Sequence, residues 1–140
     1  SKDKHILRAL LYEILMLLNR EYSKNNLVIS EKPQNRYIDN FIKLVNKDFK
    51  LYHDTQYYAD QLCITPNYLN EIAKKSLGIS PKCYIQNKII QEAKILLSYT
   101  TLSVTEIAEH LNFENPSYFI RLFRKQTNLT PLQYRYNTIR

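Results

Sequence analysis

Two stretches carry one pattern at an offset of 49: Asp54-Thr-Gln-Tyr-Tyr-Ala59-Asp-Gln-Leu62-Cys-Ile64 and Ser103-Val-Thr-Glu-Ile-Ala108-Glu-His-Leu111-Asn-Phe113. A capping-type residue opens each, followed by an alanine, a leucine and a final apolar residue at matched positions. After one inserted residue the correspondence continues at an offset of 50. Tyr68-Leu69 then matches Tyr118-Phe119, Ile72 matches Leu122, and Lys74-Lys75 matches Arg124-Lys125. Gly78-Ile-Ser-Pro81 matches Asn128-Leu-Thr-Pro131, and Tyr84 matches Tyr134. The chain therefore contains two copies of one helical unit.

Each copy has the grammar of two helices joined by a tight turn. Asp54 and Ser103 are N-cap types, and Ser103 with Glu106 has capping-box spacing. Short helices are predicted at 55–62 and 104–111, where Ala59 and Ala108 are small enough to let a second helix cross closely. The turns fall at Cys63-Ile64 and Asn112-Phe113-Glu114. Thr65 and Asn115 cap the second helices, predicted at 66–76 and 116–126, and Pro66 and Pro116 occupy first-turn positions where a missing N–H costs nothing. Gly78 and Asn128 are the residue types that best accept a left-handed C-terminal cap. Between the copies, Tyr84, Ile85, Ile89, Ala93, Leu96 and Leu97 form the apolar stripe of a linker helix over 81–98.

Composition agrees with an all-α chain. One glycine in 140 residues, beside five prolines, is too few for the positive-φ turns of an all-β fold, for a P-loop or for a dinucleotide fingerprint. With 44% hydrophobic residues the chain can bury a core. Upstream, Ile6–Tyr22 is predicted helical, with Leu7, Leu11, Ile14 and Leu18 spaced four, three, four. Leu10, Leu15 and Leu17 widen that stripe until something must cover it, either the rest of the chain or a dimer or interdomain partner. Residues 25–35 turn polar and read as a linker, and Ile38, Phe41, Ile42, Val45 and Phe49 mark a helix over 37–49. No stretch reaches the ~20 apolar residues of a membrane span. Cys63 and Cys83 lie in apolar surroundings and read as buried, reduced thiols of a cytosolic protein. The chain begins on Ser rather than Met, so a preceding segment is expected.

Charge carries the argument toward function. There are 20 Lys and Arg against 13 Asp and Glu, a net charge of +7. From Asn115 onward there are Arg121, Arg124, Lys125, Arg135 and Arg140 and no acid. Periodicity turns Phe119 and Leu122 inward and Ser117, Ile120, Arg121 and Arg124 outward along one strip. A helix fits the major groove, where Arg can fork onto guanine, whereas Arg124 and Lys125 suit phosphates. Other classes fare worse. His5, His53 and His110 lie in unrelated elements without nucleophile–base or metal-ligand spacing, so neither catalysis nor a metal or cofactor is expected. Among the twelve tyrosines, Tyr57, Tyr58, Tyr84 and Tyr134 sit at helical spacing and read as core residues with one wet end. A helical protein-interaction module acting on an acidic partner remains the alternative, and dependence on DNA sequence separates the two.

These residues resemble the AraC/XylS-type DNA-binding domain over 36–140. The carrying strings are Tyr57-Tyr-Ala-Asp-Gln-Leu-Cys-Ile-Thr-Pro-Asn-Tyr-Leu, Leu77-Gly-Ile-Ser-Pro81, Ala93-Lys-Ile-Leu-Leu97 and the closing Ile107-Ala, Phe113, Ser117-Tyr-Phe, Phe123-Arg-Lys, Pro131 and Tyr134-Arg135. The resemblance implies two helix-turn-helix units (54–76 and 103–126) joined by a long helix, entering adjacent major-groove segments of double-stranded DNA. Carried over, Asn67, Asn70 and Glu71 face base edges in the first copy and Ser117 and Arg121 in the second, with Tyr118 and Arg124 near the backbone. Thr65, Tyr68, Lys74, Lys75, Asn115, Ile120, Lys125 and Arg135 complete the expected contact set. The sequence departs from the family at Asn112 and Asn128, where glycines are usual, at Glu71, where a basic or neutral polar residue is common, and at Lys88, where the family has Arg. The resemblance further implies a cytoplasmic regulator, activator or repressor, with an N-terminal effector-sensing domain, dimerisation through 6–22 and contact with RNA polymerase.

Overall fold

In the computed structural model, residues 2–27 and 32–138 are described, with side chains from 4 to 20 and from 32 to 138. The described chain is helical, without strands, as α1 (Lys2–Leu27), α2 (Pro33–Asp48), α3 (Thr55–Gln61), α4 (Pro66–Leu77), α5 (Pro81–Tyr99), α6 (Val104–His110), α7 (Pro116–Thr127) and α8 (Pro131–Thr138). Every proline of the chain is the first residue of a helix. At that position the fixed φ favours helix and no backbone donor is lost.

Two of the sequence-based bounds are corrected. The segment read as a linker over 25–35 contains the end of α1 and the first turn of α2, and its residues 28–31 lie outside the described part. Gln34, Asn35 and Arg36 are exposed, so the first turn of α2 looks polar in sequence although it is helical. The two cysteines are not buried either. Cys63 is exposed and Cys83 half-buried, and neither belongs to the core.

The long helix α5 runs through both units. Its buried stripe of Ile85, Ile89, Ile90, Ala93 and Leu97 is shared between them. In the first unit α2, α3 and α4 pack on one another, and α2 and α4 pack on α5. Phe41 meets Tyr58 edge-on at 5.9 Å and Tyr84 at 5.6 Å. The second unit places α6 and α8 on α5 and α7 against both, around Leu111, Phe119, Leu122 and Phe123. Each fully buried residue of this kind stabilises the fold by roughly 1.5–3 kcal/mol. Tyr58 is completely buried, and its hydroxyl donates to the Tyr52 carbonyl at 2.7 Å. Tyr57, Tyr84 and Tyr134 are half-buried.

Outside this body, α1 lies antiparallel along α5. His5 stands 5.8 Å from Tyr99, and Gln91 Nε2 donates to the Tyr12 hydroxyl at 2.8 Å. The contact face of α1 is Ala9, Tyr12 and Met16, all half-buried, while Leu7, Leu10, Leu11, Ile14, Leu15, Leu17 and Leu18 are at least 50% exposed. The leucine stripe thus points away from the chain's own core. No described helix is long and apolar enough to cross a membrane.

His53 sits where the two units touch. Its ring lies 4.7 Å from that of Phe113, and its Nε2 is buried without a hydrogen-bond partner among the described residues. Burial pushes the imidazole below its ordinary value of 6.5, with the Leu111 backbone acting more weakly in the opposite sense. As pH falls through that value the unfolded chain takes the proton before the folded one, so stability is full above it and declines on acidification. Denaturation midpoints at about pH 7.5 and about pH 5.5 should show that decline, and His53→Leu should remove part of it. Identical pH dependence in the two proteins would place the imidazole in water instead.

Candidate nucleic-acid interface

The two helix-turn-helix units are built by the same local chemistry. In the first, the Asp54 carboxylate accepts from Gln56 N–H at 3.2 Å and opens α3. In the second, Ser103 and Glu106 form a reciprocal capping box, each side chain accepting from the other's N–H. Each turn then passes through one left-handed residue, Cys63 at φ 58° and Asn112 at φ 63°. The next residue donates back to the alanine carbonyl, Ile64 to Ala59 at 3.0 Å and Phe113 to Ala108 at 2.9 Å. Thr65 Oγ1 accepts from Tyr68 N–H at 3.1 Å, and Asn115 Oδ1 accepts from Ser117 N–H at 2.8 Å. The helices close on left-handed Gly78 (φ 76°) and Asn128 (φ 63°). Asparagine tolerates that conformation because its short amide can bond locally.

Matched geometry gives matched exposure. From Glu71 and from Arg121 onward, ten successive positions repeat the same order of exposed, half-buried and buried residues. On α4, Asn67, Glu71, Lys74 and Lys75 are exposed and Asn70 is half-buried. On α7, Ser117, Tyr118, Arg121, Arg124 and Lys125 are exposed. Among the described residues the one ion pair is Lys50–Glu92, at 3.4 Å. The cations of α4 and α7 are therefore not neutralised within the described chain, and each helix surface can take up phosphate charge. The surfaces differ in strength: α7 carries three cations and no acid, whereas Glu71 offsets one of the two lysines on α4.

Several expected contact residues have other duties. The oxygens of Thr65 and Asn115 are occupied as caps. Tyr68 turns its ring edge-on to Tyr37 at 6.0 Å, and Ile120 packs partly on the core. Arg135 has the most extensive structural role of the set. It is half-buried, with Nε donating to the Leu97 carbonyl at 2.9 Å and an Nη to that of Thr100 at 3.4 Å. These carbonyls stand at the C-terminal end of α5, where the helix dipole favours a cation. Two of the five N–H groups of the guanidinium join α8 to α5 in this way. One arrangement was not anticipated from the sequence: Asn112 Nδ2 donates to the Leu51 carbonyl at 2.7 Å, across the two units.

Among the described residues no three His, Cys, Asp or Glu side chains gather as a metal site. A family model described as a helix-turn-helix domain matches residues 58–137. An uncharacterized helix-turn-helix-type transcriptional regulator of Bacillus subtilis is 37% identical over 97 residues, covering 69% of this chain and 13% of that protein. The helix-turn-helix-type transcriptional activator RhaS of Escherichia coli O157:H7 is 29% identical over 130 residues, covering 90% of this chain and 44% of that one. Among solved structures, the C-terminal domain of AraT, a response regulator from Geobacillus stearothermophilus, superposes with a TM-score of 0.69 at 29% identity. That match covers 77% of this chain and 88% of the solved one. The chain thus spans less than half the length of these two curated relatives.

The role of Arg135 is open to a direct check. Arg135→Ala should lower stability by about 1.5–3 kcal/mol, the usual range for hydrogen bonds to a charged group, and should leave the salt dependence of DNA binding unchanged. A flatter salt slope with unchanged stability would return Arg135 to the phosphate contacts.

Proposed function

Because the chain belongs to the AraC/XylS-type helix-turn-helix family of transcription regulators, we propose that it binds double-stranded DNA with α4 and α7 in successive major-groove segments. The two segments lie about one helical turn, ~34 Å, apart. The observation that carries this reading is the duplicated exposure pattern of α4 and α7, with cations on both that have no carboxylate partner among the described residues. Lys74, Lys75, Arg124 and Lys125 set register on phosphates, each contributing about 0.9 to the slope of log affinity against log salt. Asn67, Asn70, Glu71, Ser117 and Arg121 read base edges. Glu71 repels phosphate unless it accepts from a cytosine amino group, so the first unit adds selectivity and the second holds more of the nonspecific affinity.

The leucine stripe of α1 supports a second element of the proposal. Leu7, Leu11, Ile14 and Leu18 follow the alternating spacing of a helix–helix seam and are at least half exposed, and a second copy of the chain can pair there without displacing α1. The greater length of the relatives supports a role within a larger cytoplasmic activator, with effector sensing and RNA polymerase contact supplied together with this module. The alternative, a module that reaches DNA only through a partner or sensor domain, differs in its bare DNA selectivity.

Selection of bound oligonucleotides from a random pool tests the reading, with enrichment expected for an asymmetric site of two segments a helical turn apart. Absence of enrichment favours the alternative. Arg121→Ala should cost about 1–3 kcal/mol on the selected site and relax one base position; a uniform loss across sequences would make Arg121 a phosphate contact. For α1, sedimentation equilibrium should show dimers that Leu11→Glu dissociates, and an unaltered mass for that variant would refute pairing through this face.

A further inference from the structure

The two copies of the helical unit fold alike, so places where they differ in sequence but not in backbone report on duties beyond the fold. Asn112 and Cys63 are such a pair. Both are left-handed, at φ 63° and φ 58°, and both are followed by the same backbone bond to the alanine carbonyl. Cys63 makes the turn with no side-chain hydrogen bond among the described residues, its side chain exposed. The amide of Asn112 is therefore not needed to form its turn, yet it reaches the Leu51 carbonyl 61 positions away at 2.7 Å. A second difference in sequence falls on the residues that precede the N-caps Asp54 and Ser103, His53 in the first copy and Leu102 in the second. Leu102 packs on the shared core, whereas His53 lays its ring 4.7 Å from Phe113 in the other unit.

Both departures meet at one place, between the loop from Phe49 to Asp54 and the turn from Leu111 to Phe113. Without that contact, α5 would be the main connection between the units, and a single helix resists bending at one end better than it fixes rotation at both. With it, the units are held at two separated points. The geometry points to Asn112 and His53 as positioning residues that lock the rotation of α7 relative to α4, and so fix the helical phase of the two DNA segments read together. They act through the orientation of the recognition helices and touch no base themselves. This inference rests on the DNA-binding reading above for its consequence, but the lock itself is a property of the free protein.

The test therefore has a DNA-free arm. Asn112→Gly removes the amide and keeps a residue that favours the left-handed turn, and His53→Leu installs the residue of the other copy. Residual dipolar couplings from amides of α4 and α7 should fit one alignment tensor in the parent protein and two in either variant. One tensor in both variants would overturn the inference whether or not DNA binds. On a selected site, inserting one base pair turns one segment by about 35°. The parent should lose about tenfold or more in affinity and the Asn112→Gly variant about threefold or less. An equal loss in both would also overturn it. A parent protein that shows no sequence-selective binding counts against the preceding reading alone, since the couplings still decide the lock.

Discussion

The arrangement depends on burial of one stripe of α5. The helices α3 and α6 have seven residues each, well short of the length at which an isolated helix holds in water. They persist because Tyr58, Ala59, Ile107 and Ala108 are fully buried against neighbours that α5 organises. The recognition helices in turn keep their outer faces free only because Leu69, Ile72 and Ala73 on α4, and Phe119, Leu122 and Phe123 on α7, fill the opposite side. A polar residue at Ile89 or Ala93 would strike both units together, since α5 is continuous through them. Affinity for a surface partner here is a consequence of core packing one layer beneath.

Local chemistry made much of this legible in the sequence. The caps at Asp54, Thr65, Ser103 and Asn115 and the helix stops at Gly78 and Asn128 are written in residues within a few positions of one another, and the repeat shows each of them twice. The outward cations of α7 follow from periodicity once the helix is placed. What could not be read depends on partners distant in the chain and chemically silent in sequence. Arg135 is held by the carbonyls of Leu97 and Thr100, and any residue supplies a carbonyl. Cys63 lies between Leu62 and Ile64 and so looks buried, but the left-handed backbone at that point turns its side chain to solvent. Asn112 was legible as a turn residue and illegible as a donor to Leu51, because its acceptor is a backbone carbonyl 61 positions away.

The inequality of the two units gives that tie its importance. Were α4 and α7 equally basic, either could anchor the chain and the other could search. The cations instead concentrate on α7, while α4 presents Glu71 beside Lys74 and Lys75. A surface that weakly charged gains little from phosphates alone, and carboxylate recognition of cytosine requires close alignment. On the proposed DNA-binding reading, the first unit contributes only when the second delivers it in the right rotation, which a flexible joint would do rarely and at an entropic cost. Preorganisation across the units, through α5 on one side and the contacts of Asn112 with Leu51 and of His53 with Phe113 on the other, is the physical condition under which, on that reading, a weakly basic reader adds selectivity to a strongly basic anchor.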